Sequence, residues 1–466
     1  MQNVILVTVD CWRHDRCGFN GHHRDTTPTL DSIAKESIVF NRAYSTGPYT
    51  TESFPGIIGG QHSYNGCYFG DDPAWKAFEQ EDTTLAKSLS DVGYSTVATL
   101  SNPHLTKTRN FDLGFDRFRN LRTKGKDNAK QGGDNTGWAG RMYNIRSYMR
   151  RYSSLINPYT LPFILYRYRQ LSNWPTVSGE DVVTGFLSDL ESTSRPFFGW
   201  THLMDVHAPI NPERAREGGL MPKGSNLRQF SWDAARASRI HEPRYDTMYD
   251  SAIRYVDQQL SVLISELKNR SLWDETILII TGDHGEVLWD RDQIYGHPRH
   301  HLYDDLLHVP LLVRTPEGSH KRINKPFSLA WIPDLISQLL DVNSGNFPEK
   351  SNTDWINDTG SQDIEYVVSD TLDSSGHSVA VRTESRKVIH HRKGTDNDSK
   401  PDYRYFQEPI QFNYLSDPKE RDGTEPDSDI RTQAADLLTA AESLSTVGEG
   451  FDPDMEQQLQ DLGYKM

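Results

Sequence analysis

Thr276-Ile-Leu-Ile-Ile-Thr-Gly-Asp-His-Gly-Glu286 decides how this 466-residue chain is read. Its first half is a β-branched run, the pattern of a strand buried on both faces. Thr281-Gly282 ends the run, and Asp283-His284 stand where strand gives way to loop. Ligand sites in open α/β sheets lie beyond the carboxyl ends of strands. A carboxylate and an imidazole projecting together there make half of a mixed oxygen and nitrogen metal site. Taken alone, such a pair is more often a polar turn.

The N-terminus supplies the other half. Val4-Ile-Leu-Val-Thr-Val9 reads as a second buried strand with Asp10 at its end, followed by Cys11, Arg13 and Asp15. Two strands that each end in a carboxylate can aim ligands into one crevice. Arg13 is a candidate for holding an anionic substrate, or else pairs locally with Asp15. Thr26 to Lys35 reads as a capped amphipathic helix with Pro28 in its first turn. After the Gly47-Pro48 turn, Thr50-Thr-Glu-Ser53 opens a short helix. A hydroxyl there is an N-cap or a nucleophile, because the amides of a helix N-terminus also favour an anion.

Composition narrows the function classes. The net charge is −15, from 65 acidic and 50 basic residues, which argues against nucleic acid as a partner. No stretch approaches the roughly 18 apolar residues of a membrane-spanning helix. The segment Val4–Val9 is too short for the apolar core of a signal peptide and lacks a basic lead. Three cysteines make no disulfide framework. A cytoplasmic protein is expected.

In order along the chain, Asn3 to Asp10, Arg13-His-Asp15, Thr26 to Asp31, Phe40 to Tyr44 and Phe111 to Phe118 resemble the sulfatase family of the alkaline-phosphatase-like superfamily. So do His202-Leu-Met-Asp-Val-His-Ala-Pro209, Asp283-His-Gly-Glu286, Gly296-His297 and His308-Val-Pro310. The resemblance runs from residue 3 to about 425. It implies an α/β fold: a large mixed sheet flanked by helices, with a smaller C-terminal antiparallel sheet subdomain. It also implies a catalytic domain over residues 1–345 and a C-terminal subdomain with an acidic tail over 346–466.

Alignment to the family motif, counted back from Gly59-Gly60, places Thr50 at the nucleophile position. Family sulfatases carry Cys or Ser there, in a motif with Pro and Arg, and oxidise it to formylglycine. Threonine cannot be oxidised in that way. Relatives acting on phosphate or phosphonate esters use Thr directly. The resemblance implies His207 and His297 as catalytic, with Arg299 as the next cation. It implies Asp10, Asp283, His284 and Thr50 as ligands of one divalent ion. Arylsulfatase-like relatives have a second Asp where this chain has Cys11. The donor set favours Mn²⁺ or Zn²⁺ and leaves Mg²⁺ and Ca²⁺ open. His104, in Asn102-Pro-His104 after the strand Ser95–Leu100, is a weaker substrate-binding candidate. The cluster His297, His300 and His301 leaves a second metal site open.

A basic, aromatic insertion over about 121–174 contrasts with the acidic whole. It suits a lid over an anionic substrate, a peripheral contact with an anionic membrane, or a plain helical excursion. The function expected is a metal-dependent hydrolase of sulfate or phosphate esters acting through Thr50. The substrate is a small anionic ester or a sulfated or phosphorylated glycan. A phospho-group transferase acting on a glycan or lipid, and an inactive binding protein, are the alternatives. Nothing in the sequence sets an oligomeric state.

Overall fold

The structure is a computed structural model. It describes residues 1–63, 77–121, 176–222, 243–291, 294–343, 345–351, 353–356, 366–373, 375–393 and 408–438. The insertion, apart from its first residue, and the end of the acidic tail lie outside the described residues.

Fifteen strands are described: β1 (Asn3–Val9), β2 (Ile38–Tyr44), β3 (Ser95–Leu100), β4 (Arg117–Asn120), β5 (Phe197–Leu203), β6 (Thr276–Gly282), β7 (Val287–Leu288), β8 (Tyr295–Gly296), β9 (His308–Arg314), β10 (Lys321–Ile323), β11 (Phe327–Ser328), β12 (Val367–Asp373), β13 (Gly376–Arg382), β14 (Arg386–Lys393) and β15 (Ile410–Asn413). The α-helices are α1 (Pro28–Ile33), α2 (Thr50–Gly59), α3 (Leu85–Asp91), α4 (Gly179–Glu191), α5 (Pro212–Gly218), α6 (Pro243–Asn269), α7 (Asp304–Leu307), α8 (Ile332–Leu340) and α9 (Ser428–Asp436).

The main sheet has the order β10-β2-β9-β6-β1-β5-β3-β4, with β11 also on β2. The pairs around β1 are parallel, whereas β9 runs antiparallel to both β2 and β6. β1 shows why such strands read as unbroken apolar runs. Val4 and Leu6 enter a core shared with α2, α3 and α8, while Ile5, Val7 and Val9 enter one shared with α4 and α6. A strand covered by helices on both faces has no polar side to show. The expected α/β architecture is therefore present. The second sheet, β12-β13-β14-β15, is antiparallel throughout, as the C-terminal sequence suggested.

Two details depart from expectation. Helix α1 has no cap from Thr27. Its first amides, on Thr29 and Leu30, donate instead to the carboxylate of Asp257 on α6, at 2.9 and 3.0 Å. Strand β9 holds Pro310 inside a nine-stranded sheet, where proline is normally excluded for want of an N–H. The pairing of β9 with β2 shifts register between Phe40 and Ala43, and Pro310 falls in that irregularity.

Candidate active site

Strands β1, β5 and β6 end level with one another: Val9 pairs with Leu203 on one side and with Gly282 on the other. Asp10 and Asp283 are the next residues on adjacent strands, so their side chains leave the sheet at the same edge. The amide of Cys11 donates to Asp283 Oδ1 at 3.1 Å, and that of His284 donates to the same oxygen at 2.7 Å. Glycine is required on both sides of the pair. A Cβ on Gly282 would stand 2.6 Å from the Trp12 carbonyl oxygen, and one on Gly285 would stand 2.1 Å from that of Asp305.

Helix α2 carries Thr50 to this edge. All ten of its residues are buried. Gly56 and Gly59 let it press against Thr46 and Phe78, where a Cβ would stand 2.5 and 2.3 Å from their side chains. The Thr50 hydroxyl donates to Asp283 Oδ2 at 3.5 Å. The two neighbouring hydroxyls point elsewhere, Thr51 to Glu52 Oε2 and Ser53 to the Thr50 carbonyl.

Asp283 links the expected ligands: the Thr50 hydroxyl lies against it, and His284 lies against both it and Asp10. His284 donates from Nδ1 to the Gly285 carbonyl at 2.8 Å, which leaves the lone pair on Nε2. That atom is buried without a hydrogen-bond partner among the described residues, 3.8 Å from Asp10 Oδ1 and 3.7 Å from Asp283 Oδ2. Oxygen and nitrogen ligands held about 2.1 Å from an ion lie about 3.0–3.5 Å from one another, close to this spacing. An orphaned imidazole nitrogen between two buried carboxylates is a donor set that fits a divalent cation.

The electrostatics agree. Burial opposes the charge on Asp10, but His207, His202 and His284 hold it below the usual carboxylate range. Burial and the Asp10 charge push Asp283 well above that range. Two adjacent buried carboxylates resist ionising together, and a cation between them removes the conflict. Burial, with His297 beside it, holds His284 down at about 4, so it is a neutral donor near pH 7.

The expected catalytic and substrate-binding residues divide. The rings of His207 and His297 lie 5.1 Å apart, and His297 is 5.0 Å from the His284 ring and 5.1 Å from that of Tyr49. The Arg299 guanidinium lies over the Tyr49 ring at 4.8 Å, with its NH1 nitrogen 3.5 Å from Glu52 Oε1. His104 is 6.1 Å from the Tyr49 ring, its Nδ1 2.8 Å from an Arg109 nitrogen. His297, Arg299 and His104 thus gather around the Tyr49 ring, with His207 against His297. Arg13 does not join them. Its guanidinium is shared between Asp15, Asp290 and the Glu286 carbonyl, so it clamps the loop after β6 and the local-pair reading holds. The histidine cluster disperses: His300 bonds Ser378 and Asp373, and His301 bonds Asp305, so among the described residues these histidines form no second metal site.

Sequence reasoning singled out neither His202 nor Glu286, and took Asn102 only as part of a strand-end loop that could line the site. His202 lies 3.3 Å from Asp10 Oδ2, Asn102 donates to that oxygen at 2.9 Å, and buried Glu286 lies 3.4 Å from His297 Nδ1. Of these, Asn102 had only its place at a strand end to mark it. His202 ends a strand that reads as core, and Glu286 follows a motif whose first two residues take the attention.

Residues 2–343 match the Sulfatase family. An ulvan-active sulfatase of Formosa agariphila is 21% identical over 74% of this chain and 62% of its own length. This chain thus spans under two thirds of that relative. An arylsulfatase of Clostridium perfringens is 22% identical over 74% of this chain and 76% of its own. Among solved structures, the phosphonate monoester hydrolase of Agrobacterium radiobacter superposes with a TM-score of 0.63 at 17% identity, covering 100% of this chain and 98% of that one. The chain belongs to the sulfatase family and has its alkaline-phosphatase-like α/β fold.

Proposed function

We propose that the protein is a metal-dependent hydrolase of sulfate or phosphate esters with Thr50 as its nucleophile. The observation that carries this reading is the Thr50 hydroxyl, 3.5 Å from Asp283 Oδ2 at the positive end of a ten-residue buried helix. Asp283 orients the hydroxyl through that bond. Thr50 Oγ1 attacks sulfur or phosphorus in line with the leaving oxygen, the bond to that oxygen breaks, and the sulfuryl or phosphoryl group passes to threonine until water cleaves it off. His207 and His297 hold the non-reacting oxygens and deliver a proton to the leaving oxygen. Glu286 keeps His297 oriented. Arg299, braced by Tyr49 and Glu52, meets the remaining negative charge of the substrate. Asp10, Asp283, His284 and Thr50 would hold a divalent ion, whose positive charge would lower the pKa of the Thr50 hydroxyl and polarise the ester.

The names of the relatives, an ulvan-active sulfatase and a phosphonate monoester hydrolase, support an anionic ester as substrate, a sulfated glycan among the candidates. The buried free thiols of Cys11 and Cys17 support a reducing, cytoplasmic setting. The test is turnover of an aryl sulfate, a phosphate monoester, a phosphate diester and a phosphonate monoester by the wild type, Thr50→Ala and Thr50→Ser. At least one ester should be hydrolysed. Alanine should lower that rate by several orders of magnitude, and serine should keep part of it. Full activity in Thr50→Ala would refute the assignment.

A further inference from the structure

We propose that Cys11 is a thiolate ligand of the same ion, which makes the site selective for zinc-like, sulfur-seeking cations. This rests on the reading of Asp10, Asp283 and His284 as ion ligands and adds to it. Cys11 directly follows Asp10, is fully buried, and adopts a left-handed backbone with φ of 58°. That turn sends its amide to Asp283 Oδ1 and its sulfur to Asp10 Oδ1, at 3.1 Å each. The sulfur therefore lies beside the Asp10 carboxylate, while the amide of the same residue holds Asp283.

Two groupings of ligand atoms, each mutually within 4.8 Å, include this sulfur: one with His284 and His297, the other with Asp10 and His207. The second observation is His284 Nε2, buried and without a hydrogen-bond partner among the described residues, which faces the same space. A thiol buried merely as a small apolar group has no need of carboxylates and imidazoles around it. Loading breaks the Cys11 S–H bond, releases one proton to solvent and forms a sulfur–metal bond. No oxidant or reductant takes part. With sulfur in the set, Zn²⁺ and Co²⁺ gain over Mg²⁺, Ca²⁺ and Mn²⁺, which favour oxygen. The other described thiol, Cys17, donates to the Arg13 carbonyl at 3.8 Å and serves as an internal control.

The experiment loads the full chain with Co²⁺ and records the near-ultraviolet absorption, where a thiolate–cobalt bond gives an intense charge-transfer band. Bound cobalt is counted by elemental analysis. Wild type should bind cobalt and show the band. Cys11→Ser and Cys11→Ala should bind cobalt without it, and zinc-over-manganese preference should fall about tenfold or more, the scale on which metal sites respond to lost partners. Cys17→Ser should keep the band. Stoichiometric cobalt without a band in wild type, or a band that survives Cys11→Ala, would overturn the thiolate assignment and leave the site of Asp10, Asp283, His284 and Thr50 standing. Absence of cobalt from the wild type, or full retention of it in Asp283→Asn, would overturn the ion site itself and the thiolate assignment with it.

Discussion

Asp10 and Asp283 occupy matching positions one residue past the paired ends of β1 and β6, and the amide that follows Asp10 donates to Asp283 at 3.1 Å. The sheet itself, rather than a flexible loop, sets the distance between the carboxylates. Displacement of either strand would move one of the proposed ion ligands, so the rigidity of the core bears directly on the proposed chemistry.

Arg299 separates binding from chemistry. Its guanidinium stacks on Tyr49 and pairs with Glu52. Arg299→Ala should raise KM about 10–100-fold, the worth of a hydrogen bond to a charged group, with a smaller effect on kcat. Arg299→Lys should recover little, because a point charge does not replace a planar stacked fork. Steady-state kinetics on the best ester of the panel checks both.

The two sheets are fastened by a buried cluster of charges. Lys387 on β14 donates to Asp304 at 2.9 Å and to Glu420 at 2.6 Å, and Arg382 also pairs with Asp304. Lys387→Met keeps the apolar stem but leaves carboxylates buried with less compensation. It should cost about 3–5 kcal/mol in denaturant unfolding. Adding Glu420→Gln should return part of that loss.

Acid should weaken the fold before most carboxylates titrate. Burial, aided by Arg382, holds His308 down at about 4, and burial with the nearby His300 charge holds His391 down at about 3. The unfolded chain takes up these protons near pH 6.5, whereas the folded chain refuses them until the lower values. Stability from these groups is therefore complete above pH 6.5 and declines as pH falls toward 4. Urea unfolding at pH 7 and pH 5 should show the decline, and His391→Gln should make it shallower.

Much of this was legible in the sequence, for identifiable reasons. β1 and β6 are apolar on both faces and end in acidic residues, a pattern that survives without any tertiary information. Thr50 was placed by counting along a motif, and the hydroxyl of Thr50, rather than that of Thr51 or Ser53, is the one beside Asp283. Arg13 misled because a cation near a ligand carboxylate resembles a substrate clamp, while its partner Asp290 is far away in sequence. The cap on α1 was invisible for the same reason, since Asp257 arrives from a helix more than two hundred residues later. In the sequence His308-Val-Pro310 reads only as a family match, and the register shift is what lets Pro310 sit inside β9.

The central claim, that Thr50 carries the ester group during turnover, is tested most directly by trapping. The wild type is mixed in excess with its best ester, quenched in acid within one turnover and digested, and the peptides are sequenced by mass spectrometry. The account predicts a sulfate or phosphate adduct on Thr50, absent in Thr50→Ala. An adduct on Thr51 or Ser53, or product formed at the normal rate with no adduct and undiminished in Thr50→Ala, would contradict it.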